Sequence, residues 1–209
     1  MSYKVIACLG DSIANGYWDE RGPGWFGRLA EKIAGNFPGQ YAFNNLAMSG
    51  DRVVDTWHRL CSEVISRGSD ILIISTGVND TARLDTPEAP MDISHGCRRE
   101  MWANILEAAK NNLETVIVCG MTPVLENRLP QEGAYNMPLF HMNSDIAEYN
   151  KLLAGWCGEY GIPFLPLERA WSGQNTEHLM SDATHPNGKG HELIAAFVYD
   201  ELVSLGILG

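Results

Sequence analysis

Five residues in four separated segments carry the groups that acyl transfer needs: a hydroxyl, a histidine with an acid beside it, and donors for a developing negative oxygen. Ser12 stands in residues 10–16 (GDSIANG), Gly50 closes residues 45–50 (NLAMSG), Asn79 lies in residues 77–80 (GVND), and Asp182 precedes His185 in residues 182–186 (DATHP). A carboxylate three positions before a histidine, in an irregular turn, can fold back onto the ring Nδ1–H. That contact fixes the tautomer and leaves Nε2 free to take a proton from a serine hydroxyl. Pro186 biases His185 away from helical geometry, which suits a loop position. The Asn79 carboxamide can donate to an oxyanion, and Gly50, without a Cβ, offers an amide that substrate can approach closely. Each segment also has a plainer reading. Gly-Asp-Ser is a good turn sequence, Asn79 and Gly50 suit loops, and Asp182 could cap a turn beside an exposed histidine.

A competing constellation uses some of the same residues. His178, Asp182 and His185 are spaced i, i+4, i+7, which on a helix would place three metal ligands on one side. Pro186 and the helix-poor Ser-Asp-Ala-Thr run argue against a continuous helix there, and no further cluster completes a shell. His58, His95, His141 and His191 have no partner identifiable from spacing, and His191 reads as structural within the last helix. Trp18, Trp25 and Trp57 follow closely on two of the site segments and read as core or rim packing.

The elements that must position these residues alternate along the chain. Residues 3–9, 42–46, 70–76, 114–121 and 162–167 read as strands. The first, third and fourth contain near-continuous apolar runs, as parallel strands covered on both faces require. Helical patterns cover about 24–36, 52–66, 96–112, 143–160 and 188–205, the last with Asn187 as N-cap. Repeated strand–helix alternation predicts an α/β fold, a three-layer α/β/α sandwich with a five-stranded parallel sheet in the flavodoxin-like order 2-1-3-4-5. In such sheets, sites form beyond the carboxyl ends of the strands. Ser12, Gly50 and Asn79 follow the first three strands, and Asp182 and His185 follow the fifth. Two long connections, 80–95 and 122–142, are expected to wall a pocket.

Composition narrows the function classes. A chain of 209 residues suits a single domain over 1–209, with 45% hydrophobic residues for its core. The formal charge is −11, and without a Lys/Arg cluster the footprint of a nucleic-acid binder is missing. The apolar run from Val5 to Leu9 is too short for a signal-peptide core, and no stretch approaches a membrane span. Five scattered cysteines without a C-x-x-C pair fit reduced thiols and a cytoplasmic setting.

The four segments resemble the SGNH hydrolases, the GDSL-like lipase/acylhydrolase family, named for Ser, Gly, Asn and His in separated blocks. Here these are Ser12, Gly50, Asn79 and His185, in order and across residues 10–186. Ile13 stands where the name motif has Leu, a change of similar volume. The resemblance implies a three-layer α/β/α fold and acyl transfer, with Ser12 as nucleophile, His185 as general base and Asp182 as orienter. It implies an oxyanion hole of the Ser12 and Gly50 amides and the Asn79 side chain, with no metal or organic cofactor. The chain lacks a G-x-S-x-G elbow, which separates it from the α/β-hydrolases. The expected activity is that of a serine esterase on a small-molecule ester, with a short acyl group on a polar alcohol. An acyltransferase using the same site is the alternative enzyme. A flavodoxin-like phosphate-binding module is the alternative of another class, and it leaves Asp182 and His185 without a reason.

Overall fold

Backbone hydrogen bonding must be satisfied inside a core, and the apolar runs of this chain satisfy it as a parallel sheet. The computed structural model describes residues 3–132 and 136–209. Its elements, in chain order, are β1 (Lys4–Gly10), α1 (Ser12–Asn15), α2 (Gly24–Asn36), β2 (Tyr41–Asn45), α3 (Val53–Arg59), β3 (Ile71–Ser75) and β4 (Arg83–Leu84). They continue with α4 (His95–Asn112), β5 (Thr115–Cys119), β6 (Gln131–Glu132), β7 (Pro138–Phe140), α5 (Asn143–Tyr160), β8 (Phe164–Leu165) and α6 (Gly188–Ser204). The main sheet runs β2-β1-β3-β5-β8, parallel throughout, so its five strands take the expected order 2-1-3-4-5. Every residue of β3 is buried, as are the last five of β1, which is what central strands covered on both faces require. Helix α2 packs against α6, and α4 packs against both α3 and α5, with the sheet between the two groups.

Two elements differ from expectation. The fifth strand is only Phe164–Leu165, because Pro163 and Pro166 on either side have no N–H to give to a ladder. The second expected helical segment, 52–66, is regular only over α3, to Arg59; it widens into a π-type turn over Leu60–Val64 and ends in a 3₁₀ turn before Gly68. The two long connections are not separate loops. Their strands β4, β7 and β6 pair antiparallel into a second, three-stranded sheet.

A buried polar chain ties the α4 and α5 layer to the loop after β3. The Trp102 indole donates to Tyr149 Oη at 2.7 Å, and Tyr149 Oη donates to Asp80 Oδ2 at 2.7 Å. The Val53 amide, opening α3, donates to Asp80 Oδ1 at 2.9 Å. The Arg98 guanidinium lies 4.4 Å over the Tyr149 ring. Burial pushes Asp80 up from 3.8 to about 6, against these donors, which favour its charged form. Tyr149→Phe leaves a buried carboxylate oxygen and a buried indole N–H without partners, each costing about 1–3 kcal/mol. The folded state holds the Asp80 proton between its unfolded and folded values, so this group's contribution to stability falls as pH rises through that window. The lost hydroxyl had favoured the ionised form. Urea denaturation should therefore show a larger loss for Tyr149→Phe at pH 8 than at pH 5, and an equal loss at both would mean that the hydroxyl does not serve the carboxylate.

Candidate active site

The turn after β1 is built around close approach. A Cβ on Gly10 would sit 2.3 Å from the Ser75 carbonyl oxygen and 2.6 Å from the Ala14 Cβ, so only glycine lets β1 run beside β3 and turn directly into α1. Asp11 caps α1 by accepting the Ile13 amide at 2.9 Å, and its burial raises it to about 7. Ser12 is the first residue of that helix, and Gly16, in the left-handed region, ends it one turn later. The serine is thereby fixed at the carboxyl end of the sheet with its side chain toward the last loop.

That loop carries the candidate base, His185. Ser12 Oγ lies 2.9 Å from His185 Nε2, and His185 Nδ1 lies 2.7 Å from Asp182 Oδ2. The other carboxylate oxygen, Oδ1, accepts the amides of His185 at 2.7 Å and Thr184 at 2.8 Å. Burial alone would raise Asp182, but hydrogen bonds from the His185 ring and backbone outweigh it and hold the carboxyl at about 2. An ionised Asp182 against Nδ1 requires the proton on Nδ1 in the neutral ring, so Nε2 is the acceptor facing the serine hydroxyl. Asn187 caps α6 by accepting the amides of Lys189 and Gly190, as expected. His178 belongs to a short 3₁₀ turn, Thr176–Leu179, and the chain then runs irregularly through Asp182 to His185. No helix aligns the three, and His185 is committed to Ser12 and Asp182.

The remaining two residues lie in the loops that follow β2 and β3. Gly50 has a φ of 88° in open space, so its backbone conformation, rather than crowding, favours glycine. Asn79 Nδ2 donates to the Asp51 carbonyl at 2.9 Å, which ties the carboxamide to the residue that follows Gly50. One Nδ2 hydrogen serves that bond, and among the described residues the other has no acceptor. Among the described residues the amides of Ser12 and Gly50 have no acceptor. The loops are stitched to each other by Met48 N–H to the Gly10 carbonyl at 2.9 Å and Asn15 Nδ2 to the Ala47 carbonyl at 2.8 Å. Arg59 reaches back from α3 to both Asp51 and the Leu46 carbonyl. A hydroxyl, an imidazole, a carboxylate and three free N–H groups thus share one sheet edge, the set that acyl transfer to a serine uses.

Comparison with known proteins gives the family and the fold. The model of the GDSL-like Lipase/Acylhydrolase family matches residues 8–193. The chain belongs to this family. Among solved structures, a lipase/acylhydrolase from Enterococcus faecalis is 26% identical, with a TM-score of 0.78 over 97% of this chain and 96% of that one. Axe2, an acetylxylan esterase from Geobacillus stearothermophilus, is 18% identical, with a TM-score of 0.76 over 96% of this chain and 94% of that one. An uncharacterized protein of Bacillus subtilis, YpmR, is 22% identical across 97% of this chain and 83% of its own length. The protein is a carboxylic ester hydrolase.

Several features of this GDSL-like hydrolase near the site escaped sequence reasoning. Trp25 is core, but Trp18 is 54% exposed and its Nε1 donates to Asp182 Oδ2 at 3.0 Å. The Tyr17 ring lies 5.0 Å, centroid to centroid, from the His185 ring. His141, at the end of the second long connection, is buried beside the turn that carries Asn79. Its Nδ1 is 3.3 Å from Thr81 Oγ1, which donates to the Val78 carbonyl, and burial lowers it to about 4. His191 is structural, as read: Nδ1 accepts the Trp25 amide at 3.2 Å and Nε2 donates to the Tyr17 carbonyl at 3.0 Å. The second connection also touches the loop that carries His185, through the Leu125 amide on the Ala183 carbonyl at 2.7 Å. A cavity of about 640 Å³ lies elsewhere, at the β8 edge, lined by α5 residues, Phe164 and Pro166, and includes none of the candidate residues. Among the described residues no helix is long and apolar enough to cross a membrane.

Proposed function

We propose that this esterase works through an acyl-enzyme on Ser12. The observation that carries the reading is the unbroken hydrogen-bonded chain from Ser12 Oγ through His185 to Asp182. His185 Nε2 takes the hydroxyl proton as Oγ attacks the ester carbonyl. Asp182 stabilises the imidazolium that forms and holds its orientation. The amides of Ser12 and Gly50, with the Asn79 carboxamide, receive the carbonyl oxygen as it becomes an oxyanion. Collapse of the tetrahedral intermediate breaks the ester C–O bond, and the imidazolium returns its proton to the departing alcohol. Water then attacks the acyl-serine by the same route, with His185 again as base.

The substrate we propose is a small ester with a short acyl group on a polar alcohol, met in the cytoplasm. Two properties support this. Net charge is −11, which disfavours an anionic lipid surface. Each methylene of an acyl chain is worth about 0.8 kcal/mol only if an apolar channel buries it, and the two long connections are rich in Pro, Asp, Glu, Asn and Arg. Axe2, of similar fold, is an acetylxylan esterase, and acetyl is a short acyl group. A fluorophosphonate should label Ser12 alone, read by peptide mass. Among p-nitrophenyl esters under one detergent condition, acetate and butyrate should exceed octanoate and palmitate in kcat/KM. Labelling that survives Ser12→Ala would remove the nucleophile assignment; a maximum at octanoate or beyond would remove only the short-acyl reading.

A further inference from the structure

The loop between α1 and α2 holds one exposed tryptophan in an unusual backbone conformation. Trp18 has a φ of 63°, and for a bulky residue this region is an outlier that persists only where the surroundings impose it. They do so on both sides. The Tyr17 amide donates to the Ser12 carbonyl at 2.9 Å, and the Tyr17 carbonyl accepts from His191 Nε2. Asp19 on the other side is buried; its carboxylate takes Arg28 through Nε at 2.9 Å and Nη2 at 2.6 Å, and the amides of Arg21 and Gly24 at 3.0 Å each. Burial would raise Asp19, but the Arg28 fork holds it below its ordinary value, so this clamp is charged.

The clamped backbone sends the Trp18 side chain to Asp182 Oδ2, the same oxygen that faces His185 Nδ1. Apart from that bond and the Tyr17 ring, which packs edge-on at 5.1 Å, just over half of Trp18 is in solvent, as is nearly half of Tyr17. Folding gains little from leaving two large rings in water beside a reacting centre, whereas a ligand with a flat apolar face would cover them. Tyr17 also packs against the His185 ring, so anything lying on this pair lies beside the serine hydroxyl.

We propose that Trp18 is both a positioning residue for Asp182 and, with Tyr17, the wall on which the ester's alcohol lies, and that the wall fits alcohols with a flat ring face. This rests on the reading of Asp182 and His185 as the relay that serves Ser12. The indole N–H, a donor with no acceptor capacity, keeps Oδ2 directed at Nδ1 through the reaction. The exposed ring faces meet the alcohol, so the residue that fixes the carboxylate is also the residue that selects the leaving group.

The two parts separate by substitution. Trp18→Phe keeps a ring and removes the N–H; Trp18→Ala removes both. On a monoacetate of methyl glucopyranoside and on ethyl acetate, Trp18→Phe should lower kcat by about 3- to 10-fold for both, the worth of one hydrogen bond, with KM little changed. Trp18→Ala should show the same fall in kcat and, in addition, raise KM severalfold for the glucopyranoside ester but not for ethyl acetate. Methyl glucopyranoside itself should change the tryptophan emission of the wild type and not that of Trp18→Phe. Asp182→Asn serves as reference and should lose more than roughly a hundredfold in kcat. Wild-type kcat in both Trp18 variants, with Asp182→Asn impaired, overturns the positioning role and leaves the relay standing. A Trp18→Ala enzyme with unchanged KM for the ring ester overturns the wall. An active Asp182→Asn enzyme overturns the relay, and the positioning role with it.

Discussion

Ser12→Ala and His185→Ala should each reduce kcat on p-nitrophenyl acetate by as much as roughly a millionfold, the loss seen when a serine protease loses its nucleophile or base. The two residues act on one proton. Ser12 Oγ and His185 Nε2 are 2.9 Å apart, and neither group has another partner that could substitute for the other. An unassisted serine hydroxyl is a weak nucleophile at neutral pH, so removing the imidazole should cost about as much as removing the hydroxyl. The double variant should be no worse than either single one, because a unit already broken cannot be broken again. What remains would come from binding and from the oxyanion donors, which neither substitution touches. Both variants should still unfold cooperatively, so the loss of kcat is not a loss of fold, and His185→Ala should have the lower midpoint because it takes the ring N–H from Asp182. A His185→Ala enzyme with substantial kcat would place the base elsewhere. Losses of Ser12 and His185 that multiply in the double variant would mean that they serve different steps.

The parts of this protein that were legible in its sequence are those where one local pattern decides the outcome. Ile71–Ser75 and the apolar half of β1 can only be central strands, because a sheet covered on one face would not bury every residue. Alternation pointed to the parallel sheet, the flavodoxin-like order was the expected one for five strands and is the one found, and the candidate residues follow the carboxyl ends of those strands. Asp182 and His185 were legible because the contact spans three residues. By contrast, the Trp18–Asp182 bond joins positions 164 residues apart and depends on a backbone conformation that tryptophan rarely adopts. Its one sequence cue was an aromatic pair immediately after the nucleophile segment. The three-stranded sheet was hidden because strands of two or three residues show no periodicity; β4 and β7 are paired by tertiary contact, across more than fifty residues. The apolar run over 162–167 reads as a longer strand than the Phe164–Leu165 pair that forms, because Pro163 and Pro166 lack the amides a ladder needs. His141 left no sequence signal, since its neighbours at Thr81 and Val78 come from the far side of the chain.

Asn79→Ala should lower kcat by about two to three powers of ten while KM stays near the wild-type value. The carboxamide is held before substrate arrives. Its Nδ2 is bound to the Asp51 carbonyl at 2.9 Å, and the next residue, Asp80, is locked to α3 and α5 through the Val53 amide and the Tyr149 hydroxyl. Such a donor need not reorganise during the reaction, which is the condition under which a dipole counts most toward catalysis. The ground-state carbonyl oxygen carries little charge and the tetrahedral oxyanion a full one, so the interaction strengthens as the barrier is climbed and appears in kcat rather than KM. Removing one donor of this kind costs about 2.7–4 kcal/mol in a protease, the source of the expected factor. Asn79→Asp is the sharper comparison. It is nearly isosteric, but its carboxylate would face the Asp51 carbonyl and the oxyanion with an acceptor where both need a donor. It should therefore fall below Asn79→Ala in kcat. A variant pair with kcat intact and KM raised would show that Asn79 binds the ester in its ground state, and the oxyanion would then rest on the Ser12 and Gly50 amides alone.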